Sequence, residues 1–105
     1  MASFANTQGI TKIILTQNVQ CFCPLGDDWY TNHITIELIP KSIIPDYCEA
    51  DDFIRGLAGQ SLIIEDVIDK IFTYFKQSYD CSYVKVVSYV DDAKHLAVTV
   101  VKEDN

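Results

Sequence analysis

The sequence predicts an α+β domain of ββααββ order: a four-stranded antiparallel sheet with two helices on one face. Three observations lead there. Two runs of alternating polar and apolar residues precede residue 40, two more follow residue 80, and between them the apolar spacing changes to three and four. Turn residues separate the members of each pair of runs, so each pair reads as a hairpin. The chain has 105 residues, 49% of them hydrophobic, which suffices for one modest core and not for two.

The first strand covers 11–23, with Ile13, Leu15, Val19, Cys21 and Cys23 on one face and Thr16, Asn18 and Gln20 on the other. Pro24, Gly26 and the Asp27-Asp28 pair form a turn, and the second strand covers 29–39 with Ile34, Ile36 and Leu38 inward. Pro40 and Pro45 bracket a loop. A short helix follows to about residue 57, capped by Asp46 or by Asp51 and closed by Gly56 and Gly59. Ser61 is the expected N-cap of a longer helix ending near Ser78, in which Ile64, Val67, Ile68, Ile71, Phe72, Phe75 and Tyr79 make one apolar stripe. The last hairpin joins 81–90 to 95–102 across Asp91-Asp92-Ala93-Lys94, with Val84, Val86, Val98 and Val100 as its β-branched members. Residues 1–10 read as a flexible N-terminal segment and 11–105 as a single domain. Four long strands leave two sheet edges, which predicts a homo-oligomer.

Composition narrows the function. Fifteen acidic against 8 basic residues give a net charge of -7, a surface that does not neutralise phosphates, so nucleic acid and anionic membranes are disfavoured as partners. No apolar stretch approaches the roughly 20 residues of a spanning helix. The N-terminus has neither the basic nor the apolar region of a signal peptide, which makes a cytoplasmic location the expectation. Four cysteines allow three disulfide pairings, but a cytoplasmic chain with a real core favours free thiols. Cys21 and Cys23 could join His33 or Cys48 around a metal, yet the paired Cys-x-x-Cys pattern is missing and no metal is expected. Trp29 either stacks on a planar ligand or packs in the hairpin. His33 and His95 read as surface or packing residues, and no phosphate-cradling glycine loop is present.

The element order, together with Cys23-Pro24-Leu25-Gly26-Asp27-Asp28-Trp29, a following strand that ends at Pro40, and Pro45-Asp46-Tyr47-Cys48-Glu49, resembles the tunnelling-fold superfamily. Within it the sequence is most similar to the nitrile reductases of queuosine biosynthesis and their cofactor-independent relatives. The resemblance implies that Cys23 attacks the nitrile of 7-cyano-7-deazaguanine to give a thioimide, that Asp28 handles protons, and that Glu49 and Glu65 hold the guanine-like edge. The chemistry is reasonable on first principles: a thiolate is the nucleophilic form of cysteine, and a carboxylate matches two adjacent N–H donors. Glu65 in a first helical turn is held ionised by the helix dipole. Cys21, two residues earlier on the same face, is the alternative reactive thiol.

Three departures shape the expectation. The turn between Cys23 and Asp28 is shorter than the family's, Ile64 stands where the family has a histidine, and Ala50-Asp51-Asp52-Phe53 replaces a lysine-bearing segment of the nicotinamide-cofactor signature. Carboxylates there repel phosphates, so no cofactor is expected. The reading is a small enzyme, nitrile reductase-like or amidine-forming, that acts through Cys23 on a purine- or pterin-like heterocycle bound between subunits. The alternative is a noncatalytic tunnelling-fold protein that binds a planar ligand or serves a structural role. A nitrile reductase proper ranks below both.

Overall fold

The computed structural model describes residues 3–104. In chain order the elements are β1 (Ser3–Ala5), β2 (Ile13–Cys23), β3 (Asp28–Pro40), β4 (Ile43–Pro45), α1 (Tyr47–Arg55), α2 (Ile64–Ser78), β5 (Cys81–Val90) and β6 (Val98–Asp104). The four long strands form one antiparallel sheet in the order β2-β3-β5-β6. Each predicted hairpin therefore pairs internally, and β3 meets β5 across the middle.

Alternation along the strands decides which face is covered. Ile13, Val19 and Cys21 of β2, Ile34, Ile36 and Leu38 of β3, and Val84, Val86 and Val90 of β5 are all buried under the helices. From α2 the buried side chains are Val67, Ile68, Ile71, Phe72 and Phe75, the stripe its spacing predicts. Burying a large aliphatic or aromatic side chain contributes roughly 1.5–3 kcal/mol, so this layer carries most of the stability. The opposite sheet face is only partly covered: Ile14, Trp29, Tyr89 and Val101 remain exposed there. No helix among the described residues is long and apolar enough to cross a membrane.

Three local expectations need correction. Asp46, not Asp51, caps α1, its carboxylate accepting the N–H of Cys48 at 2.9 Å and of Glu49 at 3.3 Å. Ser61 caps nothing, since α2 begins at Ile64 after an Ile63 that makes no side-chain cap bond. The reason is tertiary: the Phe22 N–H donates to the Gln60 carbonyl and the Leu62 N–H to the Phe22 carbonyl, both at 3.0 Å, which draws Ser61 into a parallel bridge with β2. That connector also covers part of the β2 edge. Finally, residues 3–10 carry more structure than their composition suggests. β1 pairs with β4, and the Asn6 side chain donates to the carbonyls of Ile10 and Lys41, both at 3.0 Å. Residues 1 and 2 lie outside the described range.

Candidate active site

The last rung of the β2–β3 ladder pairs Cys23 with Asp28. Directly opposed residues share a face, with β carbons about 4.5–5.5 Å apart, so the short turn sets Asp28 beside the thiol. The turn also wraps the sulfur. The Asp27 N–H donates to the Cys23 carbonyl at 2.8 Å, with Asp27 at φ 53°, a left-handed conformation that aspartate tolerates. The Gly26 N–H points at Cys23 Sγ, 3.3 Å away. Asp28 is itself held: Oδ1 accepts the Trp29 N–H at 2.8 Å, and Oδ2 lies 3.6 Å from Lys94 Nζ.

These residues open onto a pocket of about 150 Å³. Tyr30 and Ile64 form its inner wall, with Trp29 and Gly26 at the hairpin end. The Tyr30 hydroxyl donates to the Leu62 carbonyl, which ties β3 to the segment that positions α2. Burial pushes the Tyr30 phenol up, opposed by its contact with Asn32 and reinforced by Cys21, Cys23 and Glu65. Glu65 follows the pocket-lining Ile64 in the exposed first turn of α2. Cys21 differs from Cys23 in kind: it is fully buried, its Sγ lies 3.5 Å from the Leu57 carbonyl oxygen, and burial pushes its thiol up. A thiol kept protonated in this way is a poor nucleophile.

The third wall is the loop from residue 91 to 97, which contributes Ala93, Lys94 and His95. Besides the Lys94–Asp28 pair, two contacts dock it on β3. Asp92 Oδ1 accepts the Thr31 N–H at 2.9 Å, which holds the Asp92 carboxyl below its usual range, and His33 Nε2 stands 3.8 Å from Asp91 Oδ1. Neither Lys94 nor His95 is marked as functional by the sequence. No local pattern could have found them, because their place in the pocket that Cys23 lines depends on the docking of a loop about 70 residues further along.

Of the expected site residues, Cys23, Asp28, Trp29 and Glu65 gather at this end of the molecule. Glu49 does not. Its Oε1 accepts the Tyr79 hydroxyl at 3.5 Å, and Tyr79 Oη is 3.2 Å from Tyr74 Oη. Tyr79 follows the end of α2 whereas Ile64 begins it, and 15 helical residues span about 22 Å, so Glu49 and Cys23 lie at opposite ends of that helix within one chain. The Trp29 ring packs edge-on against Phe22 at 5.4 Å, as a hairpin aromatic does. Asp51 accepts Gln17 Nε2 at 2.6 Å and lies 3.5 Å from Arg55 Nη1. All four cysteines are free, and among the described residues no group of three or more His, Cys, Asp or Glu side chains converges to hold a metal ion.

No protein-family model and no curated protein matches this sequence. Among solved structures the chain is similar to the archaeosine synthase QueF-Like in its apo form, with a TM-score of 0.83, 19% sequence identity, and an alignment covering 90% of this chain and 94% of that one. The chain therefore has the tunnelling fold: two helices on a four-stranded antiparallel sheet.

Proposed function

We propose that this protein is an enzyme acting on a 7-deazaguanine-type heterocycle, with Cys23 as its nucleophile and no nicotinamide cofactor. The observation that carries the reading is the pocket itself: a partly exposed thiol at a strand end faces a carboxylate across the last rung of the ladder, and a helix begins at the pocket wall with a glutamate in its first turn. The fold shared with an archaeosine synthase supports the choice of substrate class.

In this mechanism the Cys23 thiolate adds to a nitrile carbon on the heterocycle. A carbon–sulfur bond forms, one π pair of the nitrile moves onto nitrogen, and that nitrogen takes a proton, leaving a thioimide. Ammonia or an amine can then attack the same carbon and expel the Cys23 thiolate, giving an amidine. No electrons are gained or lost, in keeping with the absence of the lysine-bearing segment from α1. Glu65 would accept the paired N–H donors of the guanine-like edge.

The site is small for a bicyclic ligand. A cavity near 150 Å³ takes a benzene-sized ring, whereas ligand sites usually exceed roughly 300 Å³. The missing wall, in this reading, comes from a second copy. The long shape of the subunit, 46 × 21 × 17 Å, and its apolar open sheet face support a homo-oligomer with sites between subunits.

Calorimetric titration with 7-cyano-7-deazaguanine tests the reading. Wild type and Cys23→Ser should both bind it, and Glu65→Ala should not, while losing only the roughly 0.3–1 kcal/mol of stability that a first-turn carboxylate contributes. Binding that survives Glu65→Ala would remove Glu65 from the site. No binding by the wild type would defeat the substrate assignment.

A further inference from the structure

We propose that His95 is the catalytic base that takes the proton from Cys23. The inference rests on the reading of Cys23 as nucleophile and adds a residue to it. His95 lines the same pocket of about 150 Å³ as Cys23 and Asp28. Its Nδ1 lies 2.7 Å from the Leu96 carbonyl oxygen. A carbonyl can only accept, so Nδ1 carries the hydrogen and Nε2 of the neutral ring is left with a free lone pair.

The other groups at the thiol are committed elsewhere. The Gly26 N–H is a donor to Sγ, suited to holding a thiolate and not to removing a proton. Asp28 has Oδ1 on the Trp29 N–H and Oδ2 on Lys94, so each of its oxygens is already engaged. Glu65 is needed for the ligand. A cysteine beside an imidazole is a common way to generate a thiolate at neutral pH. In the step assigned here the proton passes from Sγ to Nε2, sulfur adds to the electrophilic carbon, and the imidazolium returns the proton to the nitrogen that receives the displaced π pair.

The test uses iodoacetamide, which needs no substrate, with alkylation at each cysteine followed by peptide mass spectrometry at pH 7. Cys48 is exposed on α1 and serves as the internal reference. General bases of this kind contribute about 10²–10⁴ in rate, and even partial loss in His95→Gln should slow Cys23 relative to Cys48 by about tenfold or more. Added imidazole should restore Cys23 reactivity in His95→Ala, an effect a purely structural histidine would not give. An unchanged Cys23-to-Cys48 ratio in both variants, or a loss that imidazole does not rescue, would overturn the assignment. If the wild-type thiol reacts in a His95-dependent way but forms no adduct with 7-cyano-7-deazaguanine, His95 keeps its role and the substrate reading fails alone.

Discussion

At the scale of single residues, two cysteines two positions apart have opposite fates. Cys21 is sealed under the α1–α2 connector with its thiol pushed up by burial, and Cys23 stands at the pocket. Alternation places both on one face, but it carries no information about which is covered, since that is decided by the connector at residues 59–62 lying along β2. Asp92 fastens the loop that forms the pocket's third wall. Its carboxyl is held low by the Thr31 N–H, so the contact is in place above the ordinary carboxylate range and is lost as pH falls through the lowered value. The loop should therefore loosen from β3 below about pH 4, the ordinary aspartate range. The protection of the Thr31 amide against hydrogen exchange, taken relative to its intrinsic rate at each pH, should fall on acidification, and Asp92→Asn should show less of that change. Equal pH response in both proteins would assign the loosening to another group.

At the scale of elements, the strands and the stripe of α2 were legible because each depends on a local period that burial reinforces. Ile64 to Phe75 needed only three- and four-residue spacing, and β2 and β3 only alternation. Helix starts were less legible. Asp46 and Ser61 look equally suited to capping, yet only Asp46 does so, because backbone pairing with Phe22 holds Ser61 extended. This difference is measurable. Asp46→Ala should cost about 1 kcal/mol in urea unfolding, the usual loss for an N-cap, whereas Ser61→Ala should stay within about 0.5 kcal/mol of wild type. Equal costs would mean that Ser61 caps α2 after all. The loop from 91 to 97 was the least legible element. Its sequence reads as an ordinary acidic turn, and its contribution of Lys94 and His95 to the pocket exists only once β5 and β6 have been placed beside β3.

At the scale of the whole molecule, the shape is extended. The radius of gyration is 14.3 Å, against about 13 Å for a compact chain of this length. One sheet face is covered by helices, while the other leaves Ile14, Trp29, Tyr89 and Val101 exposed. The connector occupies part of the β2 edge, and β6 lies at the other end of the strand order with no strand beyond it among the described residues. An apolar open face beside a free edge favours assembly. Light scattering at micromolar concentration should give a mass that is a multiple of 11.9 kDa. A value of 11.9 kDa would exclude a site shared between copies and would leave Glu49 without a route to Cys23.

The central claim is that Cys23 attacks a nitrile on a 7-deazaguanine-type heterocycle. Intact-mass spectrometry after incubation with 7-cyano-7-deazaguanine, followed by digestion to locate the adduct, tests it most directly. The expected result is a gain equal to the whole mass of the nitrile, carried by the peptide containing Cys23 and absent from Cys23→Ser. An unmodified protein, or an adduct carried by Cys21 or Cys48, would contradict it.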